Sequence, residues 1–248
     1  MSGHSKWANI REKKGKTDAQ KAKVVTKISR EILVAAKEGG SANPDINGKL
    51  RDVIAKARAN NVPNDNIKRL LDKAAGASNA DSYESNTYEG YGPSGVAVMV
   101  ETMTDNRNRT ASEMRHLFDK YGSGMGAQNS VSWGFERRGF LAVSAEGNGE
   151  DAVMEAALEA GADDIGASDG YGEDGDETAY EILTSVESFS AVRDELSAKG
   201  YNFLRAELVY LPGTTVEITE EADAERFRKL IDALEDNDDV QNVWHNGQ

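Results

Sequence analysis

Residues 139–211 open on Gly139-Phe140-Leu141-Ala142-Val143 and close on Phe203-Leu204-Arg205-Ala206-Glu207-Leu208-Val209-Tyr210-Leu211, and what lies between them decides the fold. Both ends have the length and composition of strands. Between them, residues 152–160 and 189–199 carry helical spacing, and residues 163–167 and 178–183 read as strands. The resulting order, βαββαβ, is the split-βαβ or ferredoxin-like pattern.

Outward from this unit, residues 96–103 predict a strand and residues 110–121 a helix, opened by Thr110-Ala111-Ser112-Glu113 in the form of a capping box. Residues 131–135 predict a further strand, broken from 139–143 by Glu136-Arg137-Arg138. On the far side come a turn at Pro212-Gly213, a strand over 215–218, a helix over 220–234 and a short strand over 240–244. Each flank is βαβ, and together they complete a second ferredoxin-like set. The expected fold class is therefore α+β multidomain, with an N-terminal three-helix domain followed by two ferredoxin-like α/β domains, one inserted in the other. The expected divisions are 1–80, 81–136 with 212–248, and 137–211. Two βαβ-rich domains in series are the other arrangement that this order permits.

The N-terminal part shows three apolar stripes. At 100° per residue, Val25, Ile28, Ile32, Ala35 and Ala36 share one face of a first helix, while Lys23, Lys27, Arg30 and Lys37 share the opposite one. Gly39-Gly40 ends it. Leu50, Val53, Ile54 and Ala57 mark a second helix after Pro44. Ile67, Leu70, Leu71 and Ala74 mark a third, opened at Pro63 and ended at Gly76, with a linker over 77–82.

The 248 residues carry a net charge of −14, but unevenly. Residues 1–75 balance at +9 and residues 76–248 at −23. Such an asymmetry points to a polyanion-binding part, or to a solvated helical domain. No cysteine occurs, so disulfides, thiolate metal sites and cysteine nucleophiles are excluded, as a reducing cytoplasm would allow. The first residues lead into no apolar stretch of the secretory type, and residues 95–100, the best apolar run, are far short of a membrane span.

Several motifs fail on context. Gly90-Tyr91-Gly92-Pro93-Ser94-Gly95 fits G-x-G-x-x-G as letters, yet it precedes a strand and contains proline, so it reads as a turn. His4, His116 and His245 lack metal-ligand spacing. The acidic stretch 169–177 lacks the alternation of a calcium loop and reads as a hairpin loop. No enzyme, cofactor or metal is expected.

Two features carry a binding reading. Lys6, Trp7, Arg11, Lys13, Lys14 and Lys16 form a basic arm running into the Lys23, Lys27, Arg30 and Lys37 face. Lysines and arginines neutralise phosphates, and Trp7 either stacks on a base or packs on its own domain. Arg107 and Arg109 stand at a helix N-terminus, where cations are disfavoured and anions bind. They either await an anion or pair with Asp105 or Glu113.

Gly3-His4-Ser5-Lys6-Trp7-Ala8-Asn9-Ile10, Val34-Ala35-Ala36-Lys37-Glu38-Gly39-Gly40, Tyr88-Glu89-Gly90-Tyr91-Gly92-Pro93 and the stretch 104–110 together resemble the YebC/PmpR family. The resemblance implies a helical N-terminal domain before two α/β domains, one inserted in the other. It also implies a regulator of gene expression, described in bacteria mostly as a DNA-binding transcriptional regulator. Relatives that look like translation factors, linked to ribosomes stalled on proline-rich stretches, imply ribosomal RNA as the other partner. The chain departs from the family pattern at Val25, where an aromatic is common, and at Asn64, where lysine is common. It departs again at Ser94 and Asn129, both places where glycine is common.

Overall fold

Three helices open the computed structural model, which describes residues 18–76, 83–171 and 175–248. They are α1 (Asp18–Glu38), α2 (Gly48–Ala59) and α3 (Asn64–Gly76). Their apolar stripes meet in one cluster of Ile28, Ile32, Ala35, Ala36, Leu50, Ile54, Ala57, Val62 and Ile67. Gly39-Gly40 ends α1 for two reasons. Gly40 takes a left-handed φ of 67°, and a Cβ on Gly39 would collide with Asn47. Buried Asn47 then caps α2 by accepting from the Leu50 N–H at 3.1 Å, and its amide donates to the Ala35 carbonyl at 2.9 Å. The expected linker over 77–82 lies outside the described residues.

The next strand was not among those expected. β1 (Glu84–Tyr91) pairs antiparallel with β2 (Ala97–Thr104) over its whole length, from Glu84↔Thr104 to Tyr91↔Ala97. Its sequence is polar and lacks an apolar alternation, because its buried positions are filled by Glu89 and Gly90 instead. A Cβ on Gly90 would lie 2.6 Å from the Phe118 ring, so only glycine lets the strand approach that helix. The glycine-rich stretch after it is the hairpin connection, a single 3-10 turn at Pro93–Gly95.

α4 (Arg107–Tyr121) starts a turn earlier than the capping box predicts. Asn106 takes the cap, accepting from the Arg109 N–H at 3.1 Å, and Thr110 lies inside the helix. β3 (Gly124–Met125) is a short edge strand on β1, and a 3-10 turn over Ser132–Gly134 precedes β4 (Phe135–Ser144). The two strands expected at 131–135 and 139–143 are thus corrected to one. Glu136-Arg137-Arg138 does not break it, because all three residues pair with β7 (Phe203–Pro212) on the sheet edge.

α5 (Glu150–Ala160), β5 (Asp164–Tyr171), β6 (Glu177–Thr184) and α6 (Phe189–Ala198) complete the βαββαβ unit. Its sheet is antiparallel throughout, in the order β5-β6-β4-β7. The chain closes with α7 (Glu221–Asp236) and β8 (Val240–His245), which joins the first sheet in the order β3-β1-β2-β8. The strand expected over 215–218 is reduced to a parallel bridge between Val216 and Gly247. The protein is a mixed α+β molecule with an N-terminal helical region and two four-stranded antiparallel sheets.

The sheets pack face to face. Leu141 and Val143 point to α5 and α6 with Val153, Phe189 and Val192. Their neighbours Phe140 and Ala142 point the other way and meet Met99, Val131 and Trp244. That is why residues 139–143 read as a continuous apolar run: both faces of β4 are buried. The far face of the first sheet presents Val96, Val98 and Val100 to Met114 and Phe118 of α4 and to Leu230 and Leu234 of α7. Each such large side chain removed from water contributes about 1.5–3 kcal/mol.

Candidate nucleic-acid interface

The basic face of α1 meets the C-terminal end of α7. The Lys23 ammonium donates to the Asp236 carbonyl at 3.2 Å and pairs with the Asp236 carboxylate. Lys27 donates to the Glu235 carbonyl at 2.9 Å. Arg30 donates to the Asp238 carbonyl, lies 3.3 Å from an Asp239 carboxylate oxygen, and covers the Tyr83 ring at 5.4 Å. A helix end leaves carbonyls without intrahelical partners and carries the negative end of the helix dipole, so three cations are favourable there. Lys37, two turns beyond Arg30, is exposed. The arm residues Lys6, Trp7, Arg11, Lys13, Lys14 and Lys16 lie outside the described residues.

Arg107 and Arg109 have different fates. Arg109 donates to Asp239 at 2.8 Å, to Asp105 at 3.0 Å and to the Thr104 hydroxyl at 3.3 Å. Asp239 is only 5% exposed and also accepts from the hydroxyls of Thr110 at 2.8 Å and Thr104 at 3.1 Å. Burial alone would raise its carboxyl, but Arg109 and the two threonines outweigh that and hold it below the usual carboxylate range. The anion that makes a cation tolerable at this helix start is therefore supplied by the chain itself. Arg107 is exposed and forms no ion pair among the described residues. Its carbonyl accepts from the Tyr88 hydroxyl at 3.4 Å. Arg107 lines a groove of about 430 Å³ with Ser85, Asn86, Thr87, Tyr88 and Gln128 along the edge of β1.

A second joint holds α2 to the other sheet. Lys56 reaches Glu31 at 2.9 Å and Glu207 at 3.2 Å, and Arg205 pairs with Glu207. Burial lowers the Lys56 pKa, yet the two carboxylates raise it further than burial lowers it. Burial likewise raises Glu207, and Arg205 and Lys56 bring it down to about 2. Beside them Arg193, itself buried, donates to Asp52 at 2.7 Å, and Ser190 donates to the same oxygen at 2.8 Å. Part of the charge asymmetry seen in sequence thus serves domain docking. The sequence marks Lys23, Lys27 and Arg30 as a basic face and offers Asp105 to Arg109, but it does not show the partners of the α1 cations or single out Lys56, Arg193 and Arg205. The run Glu235-Asp236-Asn237-Asp238-Asp239 was visible, yet nothing in it says which surface it meets.

Lys37, Arg51, Arg58 and Lys68 remain exposed on the helical unit. The exposed side of α3 mixes Lys68 and Arg69 with Asp65 and Asp72. Among the described residues, no group of three His, Asp or Glu side chains is placed to hold a metal ion, and no helix is long and apolar enough to cross a membrane.

A helical unit bonded by its cations to an acidic double-sheet body defines the architectural class. Residues 5–77 match the family described as TACO1/YebC protein N-terminal domain, and residues 83–247 match that described as TACO1/YebC second and third domain. The chain belongs to the TACO1/YebC family. It is 54% identical over 99% of its length to a probable transcriptional regulatory protein of Caldicellulosiruptor saccharolyticus, covering 98% of that protein. It is 52% identical over its full length to one of Clostridium tetani, covering 97% of it. The crystal structure of a conserved hypothetical protein from Aquifex aeolicus superposes with a TM-score of 0.83 at 42% identity, covering 98% of this chain and 97% of that one.

Proposed function

We propose that this chain is a nucleic-acid-binding regulator of gene expression, non-enzymatic and cytoplasmic, that grips phosphate with its N-terminal domain. The observation that carries the reading is the charge division, +9 over residues 1–75 against −23 over the rest. The family's regulator names support it. The proposed contact surface is the arm Lys6, Trp7, Arg11, Lys13, Lys14 and Lys16, extended by Lys37 and by Arg107. Lys23, Lys27, Arg30 and Arg109 instead fix the helical unit on the body. The units proposed are residues 1–80, 81–136 with 212–248, and 137–211.

DNA is the partner that the relatives' names suggest. One observation favours ribosomal RNA as a second reading. The exposed face of α3 alternates cations with Asp65 and Asp72, which suits no base-reading helix, whereas structured RNA is held through shape and phosphates. Sedimentation of a lysate through sucrose, with and without RNase, separates the two. Co-migration with ribosomes that RNase abolishes supports RNA. Slow sedimentation unaffected by RNase, with retention on duplex DNA, supports DNA. Retention on neither overturns the proposal.

A further inference from the structure

Trp133 stands in the connection between β3 and β4, with 84% of its surface exposed. The loop beneath it is firmly built. Glu89, only 4% exposed, accepts the backbone N–H groups of Asn129 at 2.8 Å, Val131 at 2.7 Å and Ser132 at 2.9 Å. Burial alone would raise its carboxyl, but these donors outweigh burial and hold it below the usual range. The Gly134 N–H donates to the Val131 carbonyl at 2.9 Å, and the Gly213 N–H donates to the Gly134 carbonyl at 2.9 Å. The indole N–H donates to the Ser130 carbonyl at 3.0 Å, and the Tyr91 hydroxyl donates to that same oxygen at 3.2 Å. An ordered loop therefore holds a large aromatic ring out in water.

With its N–H already satisfied, the indole has only its ring surface left to offer. The exposed side chains near it in sequence are the neutral amides Gln128 and Asn129 on one side and the charged Glu136 and Arg137 on the other. Aromatic rings with amides beside them suit unpaired bases, which stack on the ring and offer hydrogen-bonding edges. A stable protein interface needs roughly 800 Å² on each side, far more than one indole and the rim of Tyr91 supply. From Gln128 the polar groove follows β1 back to Arg107. β3 pairs with β1 at Gly90 and Tyr91, so the edge over residues 85–88 has no strand partner on that side among the described residues.

We propose that Trp133 is a stacking platform for an unpaired nucleobase on a strand whose backbone passes Arg107. This rests on the nucleic-acid reading above and adds a site on the acidic body. The test compares the full-length protein with Trp133→Ala and Trp133→Phe. The probes are a labelled RNA hairpin with an unpaired loop, the same hairpin with abasic loop positions, and a fully paired duplex of the same stem. Trp133→Ala should weaken hairpin binding by roughly five- to a hundredfold, as expected for one stacked base, and leave duplex binding unchanged. Trp133→Phe should retain most of the affinity, and the abasic hairpin should not distinguish wild type from Trp133→Ala. Hairpin binding by Trp133→Ala equal to that of wild type overturns the platform and leaves the nucleic-acid reading standing. Equal losses on hairpin and duplex with a lowered melting temperature mark a structural role and overturn it too. Wild type binding to none of the probes removes both.

Discussion

Arg30 of α1 and Arg109 of α4 share one carboxylate: Asp239 receives Arg109 at 2.8 Å on one oxygen and has Arg30 at 3.3 Å from the other. Asp239 thereby ties the helical unit to the first sheet. Its replacement by alanine leaves two guanidiniums and the Thr104 and Thr110 hydroxyls short of an acceptor. Asp239→Ala should cost about 2–4 kcal/mol in urea unfolding, the range for removing one partner of a buried charged network. Asp239→Asn, which keeps an oxygen for the threonines, should cost less.

The two arginines of the α4 start should separate. Arg109→Ala breaks contacts with Asp239 and Asp105 and should lower the melting temperature by a few degrees. Arg107→Ala should leave the melting temperature within about one degree and weaken nucleic-acid binding several-fold. A melting curve and a titration on each single variant check this.

Changing Lys23, Lys27 and Arg30 together to glutamine should lower the urea midpoint, since all three hold the end of α7. If they faced B-DNA phosphates, the log–log salt slope of binding would fall by roughly 2.7. With all three turned to the body, the slope should change by less than about one.

The Glu207 joint sets an acid sensitivity. Its folded pKa of about 2 lies below the usual 4.5, so its stabilisation is complete above the usual value and is lost as pH falls from there toward 2. Glu89 and Asp239 are shifted the same way. Lys56 is raised, so its contribution persists through neutral pH and fades only at strongly alkaline pH. Glu207→Gln should lower stability at pH 7 and flatten the loss between about pH 4.5 and 2. Denaturation midpoints across that window report both effects.

Ser94 and Asn129, which stand where the family pattern favours glycine, take left-handed φ values of 56° and 64°. Ser94→Gly should raise stability by about 0.5–1 kcal/mol, offset slightly by the exposed bond it loses to Asp223. Asn129→Gly should gain less, because asparagine tolerates this conformation better than serine. Thermal melts of the two variants give the order.

Local pattern alone determined much of this protein. Helical periodicity placed α1, α2 and α3, and the alternation and length of residues 139–211 placed the βαββαβ unit, because side-chain burial follows 3.6 and 2.0 residue repeats. It missed β1, whose buried positions hold Glu89 and Gly90, because a strand fixed by a buried carboxylate and a close helix carries no apolar period. The positive charge of α1 was also legible. Which partner received it was not: Asp236 and Asp239 lie about two hundred residues away in sequence, and only the folded chain brings them to Lys23 and Arg30. Exposure is likewise a property of the fold. Trp133 and Trp244 are the same residue type, on the loop before β4 and in β8, yet one is buried between the sheets and the other stands in solvent.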